Sequence, residues 1–203
     1  MAPGQNPPRS GKLPEDVTAF LVQRGHAHTA LHCARVAGKA GELAERFGVS
    51  PAQAQAAGWL HDVSAVIPNR ARVQVALENG LEVLPEEEQL PMIVHQKLSA
   101  LMARELFGVT DAAVLSAIGC HTTLKADVTP LDKVLFVADK IAWDQQGRPP
   151  YLDALLTALD RSLDEAALVY LEHLWSRREE LPVLHPWAEK AYHQLLRKQE
   201  NRT

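Results

Sequence analysis

Helix punctuation recurs along nearly the whole chain, and this most narrows what it can fold into. Ser50-Pro51 and Thr129-Pro130 each place a capping hydroxyl before a proline suited to the first helical turn. Asp111 is a further capping residue, and Ser162-Leu-Asp-Glu165 has the spacing of a capping box. Gly25, Gly48, Gly80 and Gly108 stand as stops after apolar-periodic segments. Between these marks the spacing predicts a short helix from Pro14 and a longer one over 28–47, with Leu31, Val36, Ala40, Leu43 and Phe47 on one side. The next helix runs from Pro51 to His61-Asp62, another follows Pro68, and Pro91 opens one with Val94, Leu98, Leu101, Met102 and Leu106 on its apolar face. After Asp111, Val114, Ala117, Ile118 and His121 share a face, and a further helix covers 131–141. Two more follow a Gly/Pro-containing loop at 144–150, and a last one follows His185-Pro186. No sustained period-two alternation and no hairpin dipeptide are found, so the predicted class is all-α. Residues 1–13, rich in Pro, Gly and polar side chains, are expected to be a disordered lead-in, and 14–200 a single helical domain.

Composition sets the remaining bounds. A chain of 203 residues, 46% hydrophobic, can enclose a core without disulfides. Its net charge of −4 argues against a surface built for naked nucleic acid or an anionic membrane. Two cysteines, Cys33 and Cys120, exclude a disulfide framework and lack zinc-ribbon spacing; they read as small core residues. No apolar run reaches the ~18 residues of a membrane span. The start has no charged stretch leading into an apolar one, so a cytoplasmic location is expected.

The chemistry lies in where histidines and aspartates fall. His61-Asp62 ends a helix of small and apolar residues, Ala56-Ala57-Gly58-Trp59-Leu60. Taken alone, the doublet is better explained by a core histidine beside an aspartate that caps or salt-bridges. His32 sits among Leu31, Cys33, Ala34 and Val36, His121 lies on or beside a buried face, and Asp139 interrupts the apolar Leu-Phe-Val-Ala run. A lone buried carboxylate needs a strong partner. One shared cation accounts for all these positions together, since imidazole nitrogen and carboxylate oxygen both suit Fe, Mn, Zn or Co. His95, in Pro-Met-Ile-Val-His-Gln-Lys, is a weaker candidate.

The ordered set His32-x-x-x-Val36, Gly58-Trp-Leu-His61-Asp62, Val94-His95, Ala117-Ile-x-x-His121-Thr122-Thr123, Leu131–Lys140 and His185-Pro186 with Tyr192 resembles the HD superfamily of metal-dependent phosphohydrolases. It is most similar to the YqeK-like branch, bacterial hydrolases of symmetrical diadenosine tetraphosphate. The resemblance covers about residues 28–192 and implies a helical bundle with a metal site between helices. It implies His32, His61, Asp62 and Asp139 as ligands of a divalent or trivalent transition metal, iron in most of the branch, with Mn, Co or Zn also suited. His95 and His121, with Thr122, would face the phosphates or complete a second metal site. One segment departs from the branch: where Glu-Pro-x-Arg is common, this chain reads Ala142-Trp143-Asp144-Gln145, and the nearest arginine is Arg148.

For such a site the expected reaction is in-line attack of a metal-activated water on phosphorus, giving two ADP from diadenosine tetraphosphate. Asp62 would accept a proton, and His95 and His121 would donate to phosphate oxygens or to the leaving group. Lys140, Arg148 and Lys97 are candidates to clamp phosphate, although a solvated helix face accounts for each lysine. Trp143 and Tyr151 offer a wall for a base, while Trp187 and Tyr192 fit plain helix packing. The run Pro85-Glu-Glu-Glu88 reads as a solvated helix start. The expected partner is a small nucleotide, and a homodimer is compatible with the chain. Rival readings are another HD-type phosphatase acting on nucleoside monophosphates or deoxynucleotides, a dinuclear iron oxygenase, and a non-catalytic nucleotide-binding module.

Overall fold

The computed structural model describes residues 9–201, and every regular element among them is helical. In chain order these are α1 (Leu13–Val22), α2 (Ala27–Arg46), α3 (Pro51–Leu60), α4 (Asn69–Glu78), α5 (Pro85–Gln89), α6 (His95–Glu105), α7 (Ala112–Cys120), α8 (Pro130–Ile141), α9 (Leu152–Leu159), α10 (Leu163–Ser176) and α11 (Pro186–Glu200). Single 3-10 turns at Val63–Val66 and Pro91–Val94 follow α3 and precede α6. Helix α2 packs on α3 and α8, α7 on α6 and α8, and α10 joins α9, α11 and α8. The all-α expectation is met. No helix among the described residues is long and apolar enough to cross a membrane.

The caps explain where these helices begin. Ser50 Oγ accepts the Gln53 N–H, and Asp111 Oδ1 accepts those of Ala113 and Val114 at 2.9 and 3.3 Å. At Thr129 a full reciprocal box forms: the Asp132 N–H donates to Thr129 Oγ1 at 3.2 Å, and the Thr129 N–H to Asp132 Oδ2 at 2.8 Å. Asp132 is fully buried, its Oδ1 accepts the Ser116 hydroxyl at 2.8 Å, and it forms no ion pair among the described residues. Only half of the box expected at Ser162 forms. Ser162 Oγ accepts the Glu165 N–H, but the Glu165 carboxylate turns to Arg161.

Three further expectations need correction or limit. Leu31 is 63% exposed, whereas Val36, Ala40 and Leu43 are buried. Five residues of helix turn a side chain about 140° away, so the inward face is instead the one carrying His32, Cys33 and Val36. Within the glutamate run Glu87 is fully buried: it accepts the Leu84 N–H at 2.9 Å and the Lys97 ammonium at 2.7 Å. Of the lead-in over 1–13, residues 1–8 lie outside the described residues; beyond them, the Ser10 N–H donates to Asp16 Oδ1 at 2.8 Å and Leu13 packs on the core.

Candidate metal centre

Three of the four histidines at the site are placed by one local device. His61 and His121 each stand immediately after the last turn of a helix, α3 and α7, and His95 immediately after the 3-10 turn Pro91–Val94. A helix end leaves carbonyls without intrahelical partners. Each ring uses the carbonyl three residues back: His61 Nδ1 donates to Gly58 O at 2.8 Å, His121 to Ile118 O at 2.8 Å, and His95 to Met92 O at 2.6 Å. A carbonyl can only accept, so each Nδ1 carries the proton and each Nε2 is aimed inward. His32 comes instead from the middle of α2. Its Nδ1 is buried with no hydrogen-bond partner, and Asp144 Oδ2 stands 3.8 Å away.

The inward atoms form two groups joined by Asp62. On one side His32 Nε2 lies 3.1 Å from Asp139 Oδ1 and 3.2 Å from His61 Nε2, and His61 Nε2 is 3.6 Å from Asp62 Oδ2. On the other, Asp62 Oδ1 lies 3.2 Å from His95 Nε2 and 3.6 Å from His121 Nε2, which stand 3.0 Å from each other. Thr122 Oγ1, 3.1 Å from both rings, is the hydroxyl donor beside this second group. Both His32–His61–Asp62 and Asp62–His95–His121 have the mutual spacing of metal ligands.

Electrostatics show what the site demands. Burial opposes ionisation of Asp62 and Asp139, yet His61, and at Asp139 foremost the Lys140 ammonium, hold both carboxyls well below the ordinary range. Burial also opposes charge on His61, but Asp62 and Asp139 outweigh it and raise its pKa well above normal. His121 goes the other way, lowered to about 4 by burial and by the neighbouring His61 and His95. Two half-buried carboxylates thus call for positive charge beside them. The second group carries acceptor atoms with only the Thr122 hydroxyl between them. This donor set fits a cation: convergent nitrogen and oxygen lone pairs are costly to bury together and become ligands once a metal stands among them.

The surrounding pocket, of about 180 Å³, is lined by His32, Asp62, His95, His121, Thr122, Asp139, Lys140, Trp143, Asp144, Gln145 and Tyr170. Of the residues named from sequence it collects His32, Asp62, His95, His121, Thr122, Asp139, Lys140 and Trp143, and leaves out His61, Arg148, Lys97 and Tyr151. His61 lies beneath the lining, fully buried. Arg148 is not brought in: it is exposed and pairs with Asp153, because the loop carries it past the pocket toward the start of α9. Lys140 lines the pocket, but its ammonium donates to Asp139 Oδ2 at 2.7 Å and to His121 O at 3.3 Å. Lys97, paired with Glu87, lies outside the pocket, and Lys133 pairs with Asp164. Trp143 is part of the wall, as expected, while Tyr151 is buried behind it, edge-on to Tyr170 at 4.8 Å between centroids.

Several contributors escaped the sequence reading. Gln96 Oε1 accepts the Thr122 and Thr123 N–H groups at 3.2 and 3.3 Å, fixing the turn that holds His121. Ser64 Oγ donates to His95 O at 2.9 Å. Both are buried polar side chains beside a named ligand candidate, which is the signal that could have found them. Asp144 and Tyr170 carried none, since neither has ligand spacing.

Comparison with known proteins follows the same lines. Residues 29–144 match the HD domain family. A protein from Lactococcus lactis subsp. cremoris, described only by its position in the pepC 5′ region, is 48% identical over 68% of this chain and 70% of its own length. The symmetrical bis(5′-nucleosyl)-tetraphosphatase of Bacillus subtilis is 32% identical over 63% of this chain and 68% of its own length. A solved structure from Clostridium acetobutylicum, described as a predicted HD superfamily hydrolase involved in NAD metabolism, superposes with a TM-score of 0.82 at 23% identity, over 90% of this chain and 96% of that one, and shares the fold. Helical architecture, ordered His and Asp positions and these likenesses agree, and the chain belongs to the HD domain family, in the branch that holds the Bacillus subtilis tetraphosphatase.

Proposed function

We propose that this protein is a metal-dependent phosphohydrolase that splits symmetrical dinucleoside tetraphosphates, diadenosine tetraphosphate in particular, into two nucleoside diphosphates. The observation that carries the reading is the convergence of His32, His61, Asp62, His95, His121 and Asp139 on one small pocket, with Asp62 common to both halves. The likeness to the Bacillus subtilis tetraphosphatase supports the substrate class. A pocket of about 180 Å³ is too small for a whole dinucleotide and suits its reacting phosphates, leaving nucleosides at the mouth beside Trp143 and Tyr170.

His32, His61, Asp62 and Asp139 would hold the cation, with iron, manganese, cobalt and zinc all compatible with this donor set. A bound cation polarises a phosphoryl oxygen and acidifies water. Asp62, between the two groups, is the carboxylate placed to take the proton from the attacking water. Water adds to phosphorus, the phosphoanhydride P–O bond breaks, and a nucleoside diphosphate leaves. A neutral His121 whose Nδ1 proton is held by Ile118 offers only a lone pair, so His95 and His121 suit ligation better than donation to phosphate. Thr122 is the side chain that can turn a hydroxyl toward a phosphate oxygen.

One observation favours a second reading. The loop after α8 sends no guanidinium into the pocket and presents Asp144 there instead. That arrangement suits a smaller phosphate ester, as in HD-type nucleotidases. The test is anaerobic purification with elemental analysis, then product analysis on a nucleotide panel. Two ADP per diadenosine tetraphosphate, abolished in Asp62→Ala, supports the first reading. Phosphate released from monophosphates replaces it with the second, and tight nucleotide binding without turnover under any metal rejects both.

A further inference from the structure

Arg72 is a buried cation that the metal cluster does not touch. It projects from α4 and is 8% exposed. Buried guanidinium groups ordinarily pair with carboxylates. Here the named hydrogen bonds go to backbone carbonyls: Nε donates to Ile67 O at 3.1 Å, and a terminal NH donates to Met92 O at 3.0 Å. Burial depresses the pKa of Arg72, and the field of Asp62 acts against that loss.

The two carbonyls bracket the site. Ile67 closes the 3-10 turn that follows His61-Asp62, and Met92 lies in the 3-10 turn that leads into His95. Met92 O is the same atom that accepts the His95 Nδ1 proton, at 2.6 Å. His61 and His121 find their carbonyls at the ends of α3 and α7, helices of ten and nine residues whose own ladders fix those groups. The turn before His95 is only four residues long, and the Met92 side chain is 49% exposed, so its own packing gives little anchorage. Ile93 and Val94 root the far side of the turn in the core and Ser64 Oγ holds His95 O at 2.9 Å, which leaves the exposed Met92 end as the part that Arg72 braces. A planar guanidinium reaches both carbonyls at once, which a point-charge ammonium does not.

We propose that Arg72 is a positioning residue for His95: through the Met92 carbonyl that both side chains share, it holds the ring with Nε2 turned toward Asp62 and His121. Its consequence for catalysis rests on the phosphohydrolase reading above; its geometry does not.

The test is nitrogen-15 NMR of labelled histidines in the full chain stripped of metal, compared with Arg72→Met and Arg72→Lys. In the wild type, Nδ1 of His95, His61 and His121 each carries the proton held by its backbone carbonyl. In Arg72→Met, His95 alone becomes a mixture of tautomers, and its Nδ1 proton exchanges with water at least tenfold faster. Arg72→Lys falls between. A folded variant in which His95 is unchanged, or in which all three rings shift together, overturns the proposal. If Arg72→Met does not fold, Arg72→Gln decides by the same signals, because its shorter neutral amide cannot span both carbonyls. On diadenosine tetraphosphate the variants lose kcat at least tenfold while KM stays within twofold. Absence of wild-type turnover would reject the proposed function and leave the NMR result to decide the role of Arg72.

Discussion

Gly58 lies so close to the backbone of Ala37 that a Cβ on it would stand 2.5 Å from Ala37 Cα and 2.7 Å from Ala37 N. The contact is backbone on backbone, so no side chain can swing away to relieve it. It sets the separation of α2 and α3 at the level where His32 and His61 bring their Nε2 atoms to 3.2 Å. Gly58 also supplies the carbonyl that orients His61.

Gly58→Ala therefore forces the two helices apart. Alanine gains about 1 kcal/mol of helix propensity, but the overlap costs about 1–3 kcal/mol or more. The expected outcome is a net loss of stability in urea unfolding, together with loss of bound metal in elemental analysis. A variant that keeps both stability and metal would show that the approach of α2 to α3 does not set the site.

Metal should stabilise the protein, and chelation should weaken it. Ligand at a hundredfold its dissociation constant adds about 2.7 kcal/mol, or roughly 5–10 °C in a chain of this size at about 2–4 °C per kcal/mol. Thermal melts with manganese or zinc, against a chelator-treated control, read this directly. An unchanged melting temperature in wild type, or an equal rise in Asp62→Asn, would contradict metal binding at this cluster.

Asp139 and Lys140 separate structural from chemical roles. The Asp139 carboxylate receives the Lys140 ammonium at 2.7 Å, with both side chains largely buried. Lys140→Met leaves that carboxylate short of a partner, and breaking a buried pair in this way costs about 3–5 kcal/mol. The loss should persist in chelator, because it does not depend on metal. A stable Lys140→Met variant whose only change is a raised KM would instead return Lys140 to phosphate binding.

Legibility in the sequence tracked how local each cause was. Caps at Ser50, Asp111 and Thr129 and the histidines after α3 and α7 depend on neighbours a few residues away, and the sequence displays them. Asp139 was legible as a charge in an apolar helix, a mismatch that only a strong partner resolves. Glu87, Arg72, Asp144 and Tyr170 take their meaning from chain far off in sequence: Lys97 and His185 meet Glu87, and Met92 meets Arg72. Arg148 illustrates the reverse case. Its sequence position suggested phosphate binding, while a local pairing with Asp153 withdraws it from the pocket.

Glu87 makes a prediction about acid. Its carboxylate joins α5 to α6 through Lys97 at 2.7 Å and to the start of α11 through His185 Nε2 at 3.5 Å. The His185 ring is fixed in this sense because its Nδ1 accepts the Trp187 N–H at 3.1 Å, leaving the proton on Nε2 facing Glu87. Burial favours the neutral acid, but His185, Lys97 and the Leu84 N–H outweigh it and lower the Glu87 pKa. A carboxyl that ionises more readily folded than unfolded stabilises the fold fully above the unfolded value of about 4.3. That contribution falls away as pH drops through the lower folded value. Glu87→Gln should thus cost stability at pH 7, on the order of 1–3 kcal/mol, because the half-buried Lys97 ammonium loses its anion and keeps only the Glu82 carbonyl at 2.9 Å. The gap between wild type and variant should narrow as pH falls from about 4.3 toward the lower folded value, since the unfolded carboxyl takes up a proton before the folded one does. Urea unfolding at pH 7 and pH 3.5 measures both ends, and a gap that stays constant across that range would mean the Glu87 charge contributes nothing.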